Sequence, residues 1–167
     1  MSTDFKHFPK IFGEVLSEVR SEYDPANQLK PYYEYGTYLE LLEACKIKDN
    51  NQEAKYPLIY LVWERGENEK RFIDPYIYTI SPRVFICDFA QGDDSSDQRY
   101  TDVIETVLHP LFEILLSEMG YHPNIELGSD FRYPTTDHPF WLNNADGSFD
   151  DLSAVEIKLE NLLMLKS

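Results

Sequence analysis

Hydrophobic positions near the N-terminus repeat with the spacing of an amphipathic helix. Pro9 suits a first helical turn, and Asp24-Pro25 is a strong stop signal. Between them, apolar residues recur at i, i+1, i+4, i+5 and i+8. The pattern predicts a helix over residues 8–22 with its apolar face formed by Ile11, Phe12, Val15, Leu16 and Val19. A shorter apolar stretch predicts a second helix over residues 37–46.

The middle of the chain is rich in predicted strands. Residues 56–63 form a continuous apolar run of strand length, which predicts a central strand buried on both faces. Further runs at 71–73, 76–80 and 84–89 are joined by short connections, which favour antiparallel neighbours. Near the C-terminus, Val155, Ile157 and Leu159 alternate with charged residues and predict a terminal strand with one wet face. For residues 162–165 the pattern does not decide between strand and helix.

The strongest helical pattern lies between these strands. Ser95 and Gln98 have the spacing of a capping box, and apolar residues then recur at steps of three and four as far as Met119. These features predict a helix over residues 96–119. Pro110 should kink it, because proline cannot donate to the carbonyl of Thr106, and Gly120 is expected as the C′ residue.

Together these elements predict a single α+β domain over residues 1–167. Its core is a mainly antiparallel, curved sheet of about 4–6 strands, flanked by helices at 8–22, 37–46 and 96–119, with extended arms at about 24–36 and 134–151. The arms are rich in aromatic residues and either fold over the home core or dock on neighbouring subunits. The candidate intersubunit anchors in the arms are Tyr32, Tyr33, Tyr35, Phe140 and Trp141.

Composition and charge narrow the class of protein. The 167 residues include 24 aromatic ones, too many for a disordered acidic chain, and no apolar run of membrane-spanning length. The net charge is −15, and residues 84–167 alone hold 16 acidic and 4 basic residues. Proteins that bind nucleic acids or anionic membranes need a net positive charge on the binding surface. The excess of negative charge either serves solubility or forms a functional surface. Such a surface would face polyanions without binding them, or would bind a basic partner.

Motifs of catalysis and cofactor binding are absent from the sequence. Cys45 and Cys87 have no CxxC spacing and are expected to be buried, and the four histidines are scattered. Phosphate-binding loops and nucleophile elbows have no match. Residues 144–147 fail as a calcium loop because the first and last ligand positions would be Leu142 and Ser153. We therefore expect a non-enzyme without catalytic residues, cofactor or metal.

Four blocks of sequence resemble a family of phage proteins. The blocks are YYEYGTYLE at 32–40, KYPLIYLV at 55–62, ISPRVFIC at 80–87 and the stretch RYTDVI to VLHPLFEILL at 99–116. In this order they resemble head-to-tail connector or tail-terminator-like ring proteins from the neck of tailed bacteriophages, particularly the crAss-like phages. The resemblance covers roughly residues 30–120.

The resemblance implies a non-enzymatic structural protein of the virion, made in the cytoplasm of the bacterial host. Six or twelve copies would form a ring between portal and tail, in contact with adjacent neck, portal and tail proteins. Genomic DNA would pass through the ring without specific binding, and no membrane is involved. The alternative is an acidic protein-binding module outside virions, either a DNA mimic or a chaperone of a basic partner.

Within this ring, acidic residues would line the passage and repel phosphate, or would bind basic residues of an adjoining ring. The candidates for that surface are Asp88, Asp93, Asp94, Asp97, Asp130, Asp146, Asp150 and Asp151.

Overall fold

The computed structural model describes residues 7–23, 31–46, 56–90, 94–142 and 149–166. In chain order the elements are α1 (Phe8–Tyr23), β1 (Tyr32–Gly36), α2 (Tyr38–Ala44), β2 (Leu58–Val62), β3 (Arg71–Asp74), β4 (Ile77–Ile80), β5 (Arg83–Phe89), α3 (Ser96–Arg99), a π-helical segment (Tyr100–Leu108), α4 (His109–Tyr121), β6 (Ile125–Glu126), β7 (Thr135–Leu142), β8 (Leu152–Lys158) and β9 (Leu162–Leu165). The α+β class with mainly antiparallel strands and flanking helices is confirmed.

The strands form two sheets, where the sequence suggested one. The five-stranded sheet has the order β1-β2-β5-β8-β7, and the four-stranded sheet has the order β3-β4-β9-β6. Within them, β1 and β2 are parallel and the other neighbours are antiparallel. Residues 162–165, which the sequence left undecided, form strand β9 and pair with β4 and β6.

Strand β2 of the larger sheet is buried on both faces. All five residues of β2 are buried, as the continuous apolar run predicted. Ile59 and Leu61 point to one side, where they join a core formed with α1, the π-helical segment, α4 and the smaller sheet. Leu58, Tyr60 and Val62 point to the other side, where they pack with α2. The strand is therefore covered on both faces.

The predicted apolar face of α1 is confirmed. Ile11, Phe12, Val15, Leu16 and Val19 are all buried in the larger core. The predicted alternation along residues 155–160 is confirmed, because Val155, Ile157 and Leu159 are buried whereas Lys158 is exposed and Glu156 and Glu160 are half-buried. The strand is not the terminal one, since β9 follows β8.

Pro110 interrupts the long helix, as its missing N–H requires. The nine residues before His109 are π-helical, and the His109 N–H donates to the carbonyl of Ile104, five residues earlier. The Thr106 hydroxyl donates to the carbonyl of Thr101 at 2.6 Å, also five residues back. The wider turns therefore lie directly upstream of the proline, and regular α-helix begins at His109. Gly120 lies inside the last turn of α4 rather than at C′, since the helix continues to Tyr121.

In the described part of the two predicted arms, residues 32–36 and 135–142 form strands. They are β1 and β7, the two outer strands of the five-stranded sheet.

Two glycine variants should change stability in opposite directions. A Cβ at Gly36 would lie 2.7 Å from the Tyr60 hydroxyl, which is held in the core by a 2.9 Å bond to the Thr37 carbonyl. Gly36→Ala should therefore cost about 1–3 kcal/mol. At Gly120 a Cβ would make an ordinary 3.7 Å contact with Leu127, so Gly120→Ala should stabilise α4 by up to about 1 kcal/mol. Urea unfolding measures both, and equal effects of the two variants would contradict the packing described.

Candidate functional site

The predicted acidic residues do not form one surface. Asp88 lies near the end of β5 opposite Ser153, and Asp151 is held there by its carbonyl bond to the Ala90 N–H. Asp130 lies beyond the opposite end of the same strands, where its carbonyl accepts from the Asn161 side chain at 3.2 Å. Asp94 and Asp97 flank the N-cap of α3. Asp93 and Asp146 lie outside the described residues.

Asp150 is a core residue. It is 3% exposed, and its carboxylate accepts a 2.7 Å hydrogen bond from the Tyr56 hydroxyl. Burial raises the pKa of Tyr56, so the phenol keeps the proton that it donates. The Asp150 N–H donates to the carbonyl of Cys45. These contacts join β8 to β2 and α2, and they leave the carboxylate facing the interior.

Asp88 is half-buried, and its environment favours the neutral carboxyl. Burial raises its pKa to about 6, although the 2.8 Å bond from the Phe89 N–H acts in the opposite direction. The charge of Asp88 therefore appears as the pH rises through about 6, at a higher pH than for an ordinary aspartate.

The candidate anchors divide into two groups. Tyr33 packs on Phe12, and its hydroxyl donates to the Pro9 carbonyl at 2.8 Å. Trp141 stacks on Phe85 with ring centres 5.3 Å apart. Both of these anchors thus contact the home cores.

The other three anchors keep a large exposed area at the edges of the five-stranded sheet. Tyr32 and Tyr35 on β1 are 41% and 50% exposed, and Phe140 on β7 is 48% exposed. The Arg20 guanidinium lies 5.7 Å from the ring centre of Tyr32. Exposed aromatic side chains therefore stand at both edges of one sheet.

Arg99 holds helix α3 against strand β7, a role that the sequence analysis did not predict. It is 1% exposed, lies 4.3 Å over the Phe140 ring and donates to the Pro139 carbonyl at 3.2 Å. The Ser153 hydroxyl donates to the same carbonyl at 2.8 Å. Arg99 thus ties α3 to the middle of β7. Its position at the start of an acidic helix carried no signal of burial.

The helices that cover one face of the five-stranded sheet carry seven exposed acidic residues and the half-buried Glu118. We call this set the acidic helical surface. It consists of Glu14, Glu18, Glu22, Asp97, Asp102, Glu105, Glu113 and Glu118. Basic residues on the same helices are few: Lys10, Arg20 and the buried Arg99. The i, i+4 spacing of the three glutamates on α1 was the signal available in the sequence.

Neighbouring carboxyl groups on this surface interact directly. A hydrogen bond with Glu22 raises the pKa of Glu118, assisted by partial burial and by the negative charges of Glu22 and Glu18. Two turns earlier on α1, Glu14 lies 2.7 Å from the His122 ring nitrogen. The packing of α1 against α4 therefore holds like charges together and creates a negative potential along the helices.

Two further observations bear on chemistry. Among the described residues, no group of three or more His, Cys, Asp or Glu side chains is arranged to hold a metal ion. No helix in the described ranges is both long enough and apolar enough to cross a membrane.

No protein-family model matches the chain, and a search of curated proteins also finds no match.

Asp88→Asn should stabilise the protein above pH 6 and have little effect near pH 4. The folded pKa lies above the ordinary value of 3.8, so wild-type stability falls as the pH rises through about 6. Asparagine keeps the acceptor for Phe89 and removes the charge. We expect a gain of about 1–3 kcal/mol at pH 7.5, measured by urea unfolding from pH 4 to 8. Asp130→Asn, on an exposed loop, should change stability by less than about 0.5 kcal/mol throughout. Parallel curves for wild type and Asp88→Asn would contradict the prediction.

Glu118→Gln should stabilise the packing of α1 on α4 at neutral pH. Because the pKa of Glu118 is raised in the folded protein, the carboxyl contributes to stability at acidic pH, and this contribution is lost as the pH rises through the pKa of the folded state. Glutamine can donate to Glu22 at every pH. The variant should therefore unfold at higher urea concentration than wild type at pH 7.5, with the difference shrinking towards pH 4. Glu113→Gln, on the same helix, is the control. An advantage that does not depend on pH would refute the carboxyl pairing.

Proposed function

We propose that this protein is a non-enzymatic structural subunit of the neck or tail of a tailed phage. In this proposal six or twelve copies form a ring between portal and tail, and the genome passes through it without specific binding. The acidic helical surface carries the proposal, because it concentrates negative charge on one layer of the molecule. The resemblance of residues 30–120 to phage ring proteins supports the same conclusion.

The proposed role of this surface follows from elementary electrostatics. Duplex DNA carries about one negative charge per 1.7 Å, and at physiological salt the interaction is screened within about 8 Å. A negative wall therefore repels DNA only on close approach, which keeps the duplex away from the wall and free to slide. In this arrangement the helical acids are better candidates for the lining than the loop aspartates, which lie at opposite ends of the sheet.

The proposed partners are other copies of this chain and the adjacent neck, portal or tail proteins, and the proposed location is the virion. The aspartates near the start of α3 and the end of β5 are then candidates for contact with basic residues of an adjoining ring.

One observation favours a second candidate function, an acidic module that binds a basic protein. Glu14, Glu18 and Glu22 form a row along α1 in which successive residues rise by about 6 Å. A regular row of carboxylates suits a DNA mimic or a chaperone of a basic partner. This function predicts a monomer or dimer in solution, whereas the ring subunit predicts a much larger particle.

The proposed function is tested by particle mass and by DNA retention. Light scattering and negative-stain images at high protein concentration should show rings of six or twelve copies with a central opening, and a monomer or dimer would overturn the proposal. Wild-type rings should leave duplex DNA unbound at 0.15 M salt.

The contribution of the helical acids is tested by charge reversal. The double variant Glu18→Lys with Glu113→Lys should retain DNA with at least about tenfold higher affinity and with a steeper salt dependence. The matched control is Glu69→Lys with Glu126→Lys, which changes the charge equally on exposed positions outside the helices. Equal DNA retention by the two double variants would contradict the proposal that the helical acids line the DNA passage.

A further inference from the structure

The five-stranded sheet has a hydrogen-bonding edge at β1. The Tyr32 N–H donates to the Pro57 carbonyl, and the Trp63 N–H donates to the Gly36 carbonyl, both at 2.8 Å. Backbone groups alternate along a strand, so residues 32, 34 and 36 face β2. The N–H and C=O groups of Tyr33 and Tyr35 therefore point away from the sheet. In the part of the chain that the structure describes, no strand pairs with this side of β1.

The other edge of the sheet, at β7, also has outward-pointing backbone groups over its first half. The Lys158 N–H donates to the Pro134 carbonyl at 3.0 Å, which places Thr136 and His138 towards β8. The backbone groups of Thr135 and Asp137 consequently point outwards. Pro139 and an irregularity between His138 and Leu142 end the regular pairing with β8. The open segment is therefore about as long as the five residues of β1.

The two edges run in opposite directions. Strand β1 is parallel to β2, and every later neighbour in the order β2-β5-β8-β7 is antiparallel to the one before it. When two copies stand side by side in the same orientation, β7 of one therefore meets β1 of the next as an antiparallel neighbour.

We infer that β7 of each copy pairs with β1 of the next copy, so that the five-stranded sheets join into one continuous sheet around the ring. This inference rests on the proposed function and names its subunit contact. In the register that uses all outward groups, Thr135 lies opposite the next copy's Tyr35 and Asp137 lies opposite its Tyr33. The contact is head-to-tail, which is the kind that closes into rings.

The side chains at these edges suit contact between copies of an acidic chain. Asp137 and His138 are already paired, with His109 at 3.0 Å and Glu156 at 3.2 Å. Glu34 is the one acidic residue of β1. The exposed rings of Tyr32 and Tyr35 stand on one edge and the exposed ring of Phe140 on the other. The junction thus brings together aromatic and neutral polar groups, with little like-charge repulsion.

Proline at an outward position tests the pairing. Thr135→Pro removes an N–H that points away from β8, so the home sheet keeps its hydrogen bonds while the β7 edge is blocked. Tyr35→Pro blocks the β1 edge in the same way. Each variant alone should lose rings, with the junction weakened at least about tenfold. Thr135→Val keeps the N–H and should form rings as wild type does.

Mixing the two proline variants gives the decisive result. A copy with Tyr35→Pro has an intact β7 edge, and a copy with Thr135→Pro has an intact β1 edge. The mixture should therefore stop at a dimer of one copy of each, which also shows that both variants fold. Light scattering and native mass spectrometry measure this. Rings formed by Thr135→Pro, or a mixture that stays monomeric, would overturn the pairing and leave the ring proposal standing. A wild-type chain without rings would overturn the proposed function itself.

Discussion

The rest of the structure depends on the burial of strands β2, β5 and β8 on both faces. Side chains from these strands enter two separate cores, so each face requires its own covering layer. The helices α1 and α4, the π-helical segment and the smaller sheet cover one face, and α2 covers the other. Once both faces are covered, a larger assembly of the sheet has only its edges left for backbone pairing. The same constraint that forms the core therefore decides where neighbours can join.

The sequence predicted most of what depends on local periodicity. The buried face of α1 follows from apolar residues spaced at about 3.6 residues per turn. The buried strand β2 follows from a continuous apolar run of strand length. The capping box at Ser95 and Gln98 is present with both of its hydrogen bonds. The division into two sheets was not predictable in this way, because β4 pairs with β9 more than eighty residues later. Such pairings depend on how the whole chain packs and leave no local signal.

The candidate site shows the same limit. The candidate aspartates were taken from the acidic excess in residues 84–167, but Asp150 is buried beneath Tyr56 and Asp130 lies at the other end of the sheet from Asp88. The glutamates of α1 and α4 come together only when the two helices pack. Their spacing within each helix was visible in the sequence, whereas their alignment, shown by the bond between Glu22 and Glu118, is a tertiary property.

The acidic helical surface and the sheet edges are coupled by geometry. If copies join edge to edge in the same orientation, the helices of every copy lie on the same side of the continuous sheet. Closing that sheet then places all of them on the inner wall or all of them on the outer wall. On the opposite face, a single guanidinium, that of Arg83, contacts the three carboxylates of Glu64, Glu67 and Glu156. The direction in which the sheet curves therefore decides whether DNA meets the repelling layer. In a ring with the helices inside, the net charge of −15 would repel the duplex from the wall, so that the DNA could pass without binding to it.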